Sequence, residues 1–371
     1  MGAQERNGSD ESTAVIGLDL LRGLASLAVA LAHLRGLTYV EWGALDGASK
    51  TLPVMTFFAL TRFGHEAVLI FFVLSGFLIG GQIIRMCQAG TFNPAIYIID
   101  RSTRILLPLI PAVLLTAAIS FFVLGEILSP AQVFGNMIGF NGLLVESLLR
   151  NGPLWSLSYE IWFYVLGGVI ASLFVQGGGK TSFILLVMCA AVFAVHNSLL
   201  LLIWWLGAVV ALTIDIPRKG FVALIGLGLF LAGSACWQLG WESSSFTNIA
   251  LIPKGVAEVL IAQGVGLTLP WFCAARSNIW LRPFGRLAGS LSAISYTLYL
   301  VHYPVLSAFE QAFPRANHVG LISFVALGLR AVAVLITTLV MWTLFERQTN
   351  AVRRFLKSRL LSAAHGRRLD G

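Results

Sequence analysis

Apolar residues in this chain collect in long runs separated by short polar segments. The runs are about 20 residues long, where a membrane β-barrel would alternate over segments of about 10. Ten runs are predicted to be membrane-crossing helices: 14–34, 66–84, 105–124, 159–176, 181–195, 198–214, 220–239, 255–274, 287–309 and 318–345. The stretch 181–214 is too long for one crossing, and His196, Asn197 and Ser198 interrupt it, which predicts a hairpin. Residues 131–149 are moderately apolar but carry Asn136, Asn141 and Glu146, so an interfacial or re-entrant segment is expected there. The fold class expected is all-α: a polytopic bundle of about ten transmembrane helices. A short tail (1–13) precedes the membrane domain (14–345), and a basic tail (346–371) follows it.

Composition agrees. Hydrophobic residues make up 57% of the chain and charged residues 11%, against roughly 25% charged in a soluble domain. With a mean hydropathy of +0.83, an ordinary soluble protein and a disordered chain are both excluded. Charge then sets orientation, because Lys and Arg accumulate on the cytoplasmic side. With the N-terminus inside, ten spans put 17 basic residues inside and 6 outside; letting 131–149 cross as well would give 7 and 16. Both termini are therefore expected in the cytoplasm. Run 14–34 holds Arg22 and exceeds a signal-peptide core, so it reads as a retained span. The tail cluster from Arg347 to Arg368 reads as an orientation anchor on anionic membrane lipid, and no nucleic-acid partner is implied. Cys87, Cys189, Cys236 and Cys273 lie in or beside apolar runs without metal-ligand spacing. They read as buried hydrophobes, so neither a disulfide framework nor a metal site is expected.

An ionisable group inside a bilayer is costly, so each one raises a functional question. Arg22 and His33 are 11 residues apart, which brings them to one face of a helix about 16 Å apart along its axis. Glu160 opens the span after the outer loop, at a depth similar to His33, where a carboxylate could fix an imidazole's tautomer. Trp155, Tyr159 and Trp162 form a stripe that reads as an interfacial aromatic belt. Ser295 and His302, seven apart, share a face toward the outer end of span 9. Arg101 and Arg104 project together at the cytoplasmic start of span 3, where paired guanidiniums suit phosphates. Ser75-Gly76 is a small-residue pair that permits close helix approach. Arg330 lies near mid-membrane, with Glu66, Glu258 and Glu310 as outer-side carboxylates it could meet.

Five segments, in order between residues 18 and 304, resemble acyltransferase family 3, whose membrane domain transfers acyl groups to sugars. They are Arg22-x10-His33 preceded by Leu18-Asp19, and Phe71-Phe72-Val73-Leu74-Ser75-Gly76-Phe77. Arg101-x-x-Arg104 with Pro108 comes third. Leu154-Trp155-Ser156-Leu157-Ser158-Tyr159-Glu160 with Phe163-Tyr164 is fourth, and Ile294-Ser295-Tyr296-Thr297-Leu298-Tyr299-Leu300-Val301-His302 is fifth. The end of the last span, Phe345-Glu346-Arg347, fits the family's closing helix more loosely. Two positions depart from it: Leu69, where many members are acidic with Glu66 three residues earlier here, and Gln348, where many have proline. Some members append an extracytoplasmic esterase-like domain; this chain resembles the stand-alone type.

The resemblance implies an O-acyltransferase of the bacterial inner membrane. Its donor would be cytoplasmic acyl-CoA, acetyl-CoA by default, with no permanently bound cofactor. Its acceptor would be a hydroxyl on an extracytoplasmic glycan or lipid-linked saccharide, such as a lipopolysaccharide or exopolysaccharide sugar. His33 would act as general base or as transient acyl carrier. Glu160 would orient His33 or meet the acceptor, Arg22 would line the donor path, and Arg101 and Arg104 would hold the CoA phosphates. Ser75, Ser295 and His302 are secondary choices. Rival readings are a transporter using intramembrane Arg, His and Glu, acylation of a small hydroxylated metabolite, a polyprenyl-linked glycosyltransferase or ligase, and a receptor. The first lacks internal repeats, and the glycosyltransferase would need more basic outer-loop residues than Arg150.

Overall fold

The computed structural model describes residues 6–177, 179–241, 253–274 and 279–369. Arg276, counted above on the cytoplasmic side, lies outside them, as does the start of the 1–13 tail. Among the described residues the structure is helix and loop, with two isolated bridges and no strand. The helices are α1 (Arg6–Thr38), α2 (Leu52–Leu60), α3 (Gly64–Ser75), α4 (Gly81–Gln88), α5 (Pro94–Phe122), α6 (Pro130–Met137) and α7 (Trp155–Gln176). They continue with α8 (Lys180–Val195), α9 (Ser198–Val210), α10 (Lys219–Trp241), α11 (Lys254–Phe272), α12 (Gly285–Ser307), α13 (Leu321–Leu344) and α14 (Thr349–Leu369).

Helix starts follow local chemistry. Asn93 precedes Pro94, and its Oδ1 accepts from Ile96 N at 3.1 Å; Ser129 before Pro130 caps Gln132 N at 3.1 Å. Asn197 caps Leu199 N at 3.0 Å, and α7 stops at Gly177, whose φ of 72° suits glycine. Each of the ten predicted runs holds a helix. Among the described residues, seven segments are long and apolar enough to cross a membrane, or eight if the bent pair α8 and α9 counts as one. That pair breaks at His196 and Asn197 as expected, but its helices have 16 and 13 residues. They reach about 24 and 20 Å, short of a hydrocarbon core of about 30 Å, so full crossings by both are not supported. The 23-residue α12 is long enough but too rich in hydroxyl and aromatic side chains to qualify on composition. Span 66–84 is one part of a longer apolar segment, Leu52–Gln88.

The chain divides into two compact units. Unit 1 takes residues 1–32, 60–85 and 197–295. Its tightest contact justifies the Ser75-Gly76 pair: α3 passes through a π turn at Gly76–Gly80 directly against α9. A Cβ on Gly76 would lie 1.8 Å from the Trp204 carbonyl oxygen, and one on Gly207 would lie 2.1 Å from that of Val73. Two carboxylates in this unit find side-chain partners. Buried Glu66 accepts from Gln238 Nε2 at 2.6 Å, and His65 meets Glu258 at 3.0 Å.

Unit 2 takes residues 33–59, 86–196 and 296–371. The 131–149 segment is a short helix, α6, and a loop, and its asparagines are the reason it does not span. Asn136 Nδ2 donates to the carbonyls of Gln132 and Glu146, and its Oδ1 accepts from Leu148 N. Asn141 Nδ2 donates to Leu154 O at 2.9 Å. This loop grips the start of α7, since Gly139 O accepts from Ser158 Oγ at 2.8 Å and from Trp162 Nε1 at 3.0 Å. Trp162 is buried, whereas Trp155 and Tyr159 are half-buried and Tyr159 stacks on His196, so at least Trp162 of the stripe serves interior packing. Beyond α5, Arg150 bonds both Glu126 and Glu310. Arg330 is fully buried and donates through Nη2 to the carbonyls of Phe313 and Phe309. Those carbonyls, in the turns after α12, take its hydrogen bonds, while Glu310, one of the three carboxylates it could meet, acts on it through charge.

Two outcomes follow. Gly76→Ala drives a methyl into a backbone carbonyl that cannot yield, and should cost about 1–3 kcal/mol, seen as a lower unfolding temperature in detergent. Arg150 holds the Glu126 carboxyl below its ordinary 4.5 by donating hydrogen bonds to it. A depressed carboxyl stabilises the fold above its unfolded value and loses that contribution as pH falls through the folded one. Arg150→Gln should therefore be less stable than wild type at pH 7, by on the order of 1 kcal/mol at this half-exposed network. Melting curves at pH 7 and pH 3 should show the gap closing in acid.

Candidate active site

Within unit 2, the turns of α12 from Tyr296 to His302 carry a polar face into an apolar interior. His302 is fully buried. Its Nδ1 lies 3.0 Å from the Leu298 carbonyl, four residues back on the same helix. A carbonyl only accepts, so Nδ1 carries the proton and, in the neutral ring, Nε2 carries the lone pair. That Nε2 is 3.0 Å from His33 Nδ1. By the same logic His33 donates from Nδ1, and its own lone pair resides on Nε2. The rings stack with centroids 5.1 Å apart, and Tyr303 stands edge-on to His33 at 5.1 Å. Residues 269 apart in sequence thus form one oriented imidazole pair.

The start of α7 is fastened to α12 beside it. Tyr299 donates its hydroxyl to Pro153 O at 2.6 Å and lies 2.6 Å from Ser156 Oγ. Buried Asn151 donates to Leu300 O at 3.0 Å and to Thr116 Oγ1 on α5 at 3.1 Å. Glu160 follows one turn after Ser156. It accepts from the Tyr164 hydroxyl, and its charge acts on both Tyr296 and Tyr299. The motif Trp155–Glu160 is thereby brought to the same stretch of α12 that carries His302.

A turn and a half back along α12, Glu346 is buried at 5% exposure and divides its oxygens between two helices. Oε1 meets Arg104 Nη1 at 3.0 Å. Oε2 accepts from Thr297 N at 3.0 Å and from Thr297 Oγ1 at 2.6 Å. Arg104 also lies over the Tyr296 ring at 5.6 Å. Arg101 sits over the rings of Tyr97 and Tyr164, at 5.9 and 5.7 Å, and lines a cavity of 530 Å³ between α5, α7 and α8. The two arginines predicted to act together therefore differ: one is partly balanced by a carboxylate, the other rests on aromatic faces. Tyr296 to His302 is six residues, or about 9 Å of helix, so one helix carries both the guanidinium and the imidazole contacts.

The remaining predicted residues fall as follows. Ser295 donates to Ser292 O at 2.7 Å within its own helix and is 1% exposed. Ser75, in unit 1, accepts from Trp204 Nε1 at 3.1 Å. Arg22, half-buried, lies in unit 1 on the helix that carries His33. Asp19, three residues before it, accepts from Ser292 Oγ at 2.7 Å. Sequence reasoning gave no role to Glu346, Tyr299 or Asn151. Glu346 had a signal, being an acidic residue at the very end of an apolar run; Asn151 and Tyr299 are recognisable only once their partners are in place.

Glu346→Gln keeps acceptors for Thr297 but removes the charge facing Arg104. Because Arg104 is 37% exposed, the loss should be nearer 1 kcal/mol than the 3–5 typical of a fully buried pair. Glu346→Leu also strips the Thr297 bonds and should melt lower still in the same detergent assay.

No curated protein and no solved structure matches the chain. A family model for an acyltransferase domain matches residues 15–346, nearly the whole sequence. That span contains all five motifs and every residue of the imidazole pair and the guanidinium contacts, and the chain belongs to acyltransferase family 3.

Proposed function

We propose that this integral-membrane acyltransferase moves an acyl group, acetyl by preference, from cytoplasmic acyl-CoA to a hydroxyl of an extracytoplasmic glycan in a bacterial inner membrane. A sugar of lipopolysaccharide or exopolysaccharide is the acceptor favoured. The observation that carries the reading is the His33–His302 bond, because it presents the basic Nε2 of His33 with a fixed tautomer. The acceptor oxygen attacks the thioester carbonyl while its proton passes to His33 Nε2. The tetrahedral adduct collapses, the C–S bond breaks, and the CoA thiolate leaves and takes that proton. His302 steadies the imidazolium formed between these steps by accepting from Nδ1.

Glu160 serves in this scheme as the nearby carboxylate that meets the acceptor, with Tyr164 holding its orientation. Arg101 and Arg104 bind the donor's phosphates at the cytoplasmic side. Arg22 lines the donor's path on the helix of His33. Ser75 and Ser295, whose hydroxyls are engaged in helix packing, take no chemical part.

The test is transfer of label from radioactive acetyl-CoA to surface polysaccharide in membrane vesicles at matched expression. His33→Ala should lose at least about 10²-fold in rate, the lower end of a general base's contribution. His302→Leu should also fall. His302→Gln should recover part of that loss, since its amide oxygen can accept near the position of Nε2, and its pH–rate profile should shift. Undiminished transfer by a folded His33→Ala protein would sink the scheme.

A further inference from the structure

The basic C-terminal helix α14 is docked on the cytoplasmic start of α5. Lys357 Nζ lies 2.8 and 2.9 Å from the two oxygens of Asp100, and Arg353 Nε lies 3.8 Å from the same carboxylate. Arg353 and Lys357 are four residues apart and share a face of α14. Asp100 immediately precedes Arg101, so α14 brings its cations to the Arg101-x-x-Arg104 motif. The charges do not balance: Arg101, Arg104, Arg353 and Lys357 face only Asp100 and Glu346, leaving an excess of two positive charges. The hydrogen bonding is also incomplete. Arg101 Nε is shielded from solvent and makes no hydrogen bond; Arg353 Nε is shielded too and reaches Asp100 only at 3.8 Å, beyond hydrogen-bond distance, and a buried donor left unmet is costly. Beside Arg101 opens the 530 Å³ cavity, lined by Tyr97, Ser102, Tyr164 and aliphatic side chains.

We infer that α14 and α5 together form a phosphate-ester site, with Arg353 and Lys357 as further binding residues for the nucleotide end of the acyl-CoA donor. This rests on the donor reading given above. A phosphate dianion supplies acceptors for both unmet guanidinium donors and offsets the excess charge. The cavity accommodates a less polar portion of the same ligand. Phospholipid headgroups offer the same phosphate chemistry, and the experiment separates the two sources.

Binding of coenzyme A to the purified full chain in neutral detergent would be measured for wild type, Arg101→Gln and the double variant Arg353→Gln/Lys357→Gln. Thermal melting would establish that each is folded. The double variant should bind at least tenfold more weakly, about 1.4 kcal/mol, and Arg353→Lys/Lys357→Arg should restore most of the affinity. Weakening by Arg101→Gln without weakening by the double variant overturns the role of α14 and leaves the donor reading standing. Unchanged affinity in both overturns the donor reading as well. Loss of dioctanoyl phosphatidylglycerol binding with coenzyme A affinity intact assigns the cations to lipid and overturns the inference. Amine labelling of wild type provides a readout free of substitutions: coenzyme A should protect Lys357, and equal labelling with and without it counts against the site.

Discussion

In an apolar interior a polar group costs several kcal/mol unless another polar group answers it. Unit 2 is arranged around that constraint acting on α12, which carries more hydroxyls than the other long helices. Thr297 is answered by Glu346, Tyr299 by Pro153 and Ser156, and His302 by its own helix and by His33. Each answer comes from a different segment, so satisfying one helix draws together α1, α7 and the end of α13. The site is in this sense a by-product of hydrogen-bond satisfaction. The residues that complete the bundle's polar bonding are the ones to which the proposed mechanism gives the roles of base, carboxylate and guanidinium clamp.

Much of the architecture was legible beforehand. Apolar runs located all ten helical segments, because a helix in lipid must be apolar over its length. Asn136 and Asn141 correctly marked 131–149 as a non-spanning segment, and Ser75-Gly76 marked a close approach. What one-dimensional reasoning missed was partnership. His33 was read with Glu160 in view, whereas its ring partner is His302, 269 residues away. Arg104 was read with a ligand in view, and it also pairs with Glu346, 242 residues away. Periodicity assigns a face to each residue but cannot say which helix lies against that face. Trp162 of the α7 stripe shows the same limit: its side chain is bonded to the Gly139 loop, which its spacing alone did not reveal.

Arg101 and Arg104 show how one short motif can divide its labour. Three residues apart on α5, they project in similar directions, yet Arg104 holds helices together through Glu346 and Tyr296, while Arg101 is cradled on two aromatic faces. Delocalised guanidinium tolerates both settings, which a lysine ammonium, more strongly hydrated, would not. The two neighbours thereby make different contacts within the fold, and substitutions at the two positions should not be read as equivalent.

The long sequence separation within the imidazole pair also fixes an order of events during biosynthesis. Chains emerge from the ribosome at about 5–20 residues per second, so His302 is made roughly 15–50 s after His33. Throughout that interval α1 can reside in the membrane with its imidazole not yet joined to its final ring partner. The tautomer lock therefore forms long after α1 is made, and a product stalled before His302 carries His33 without the ring that orients it. The proposed reactive centre cannot be assembled until both ends of this long sequence separation have been made.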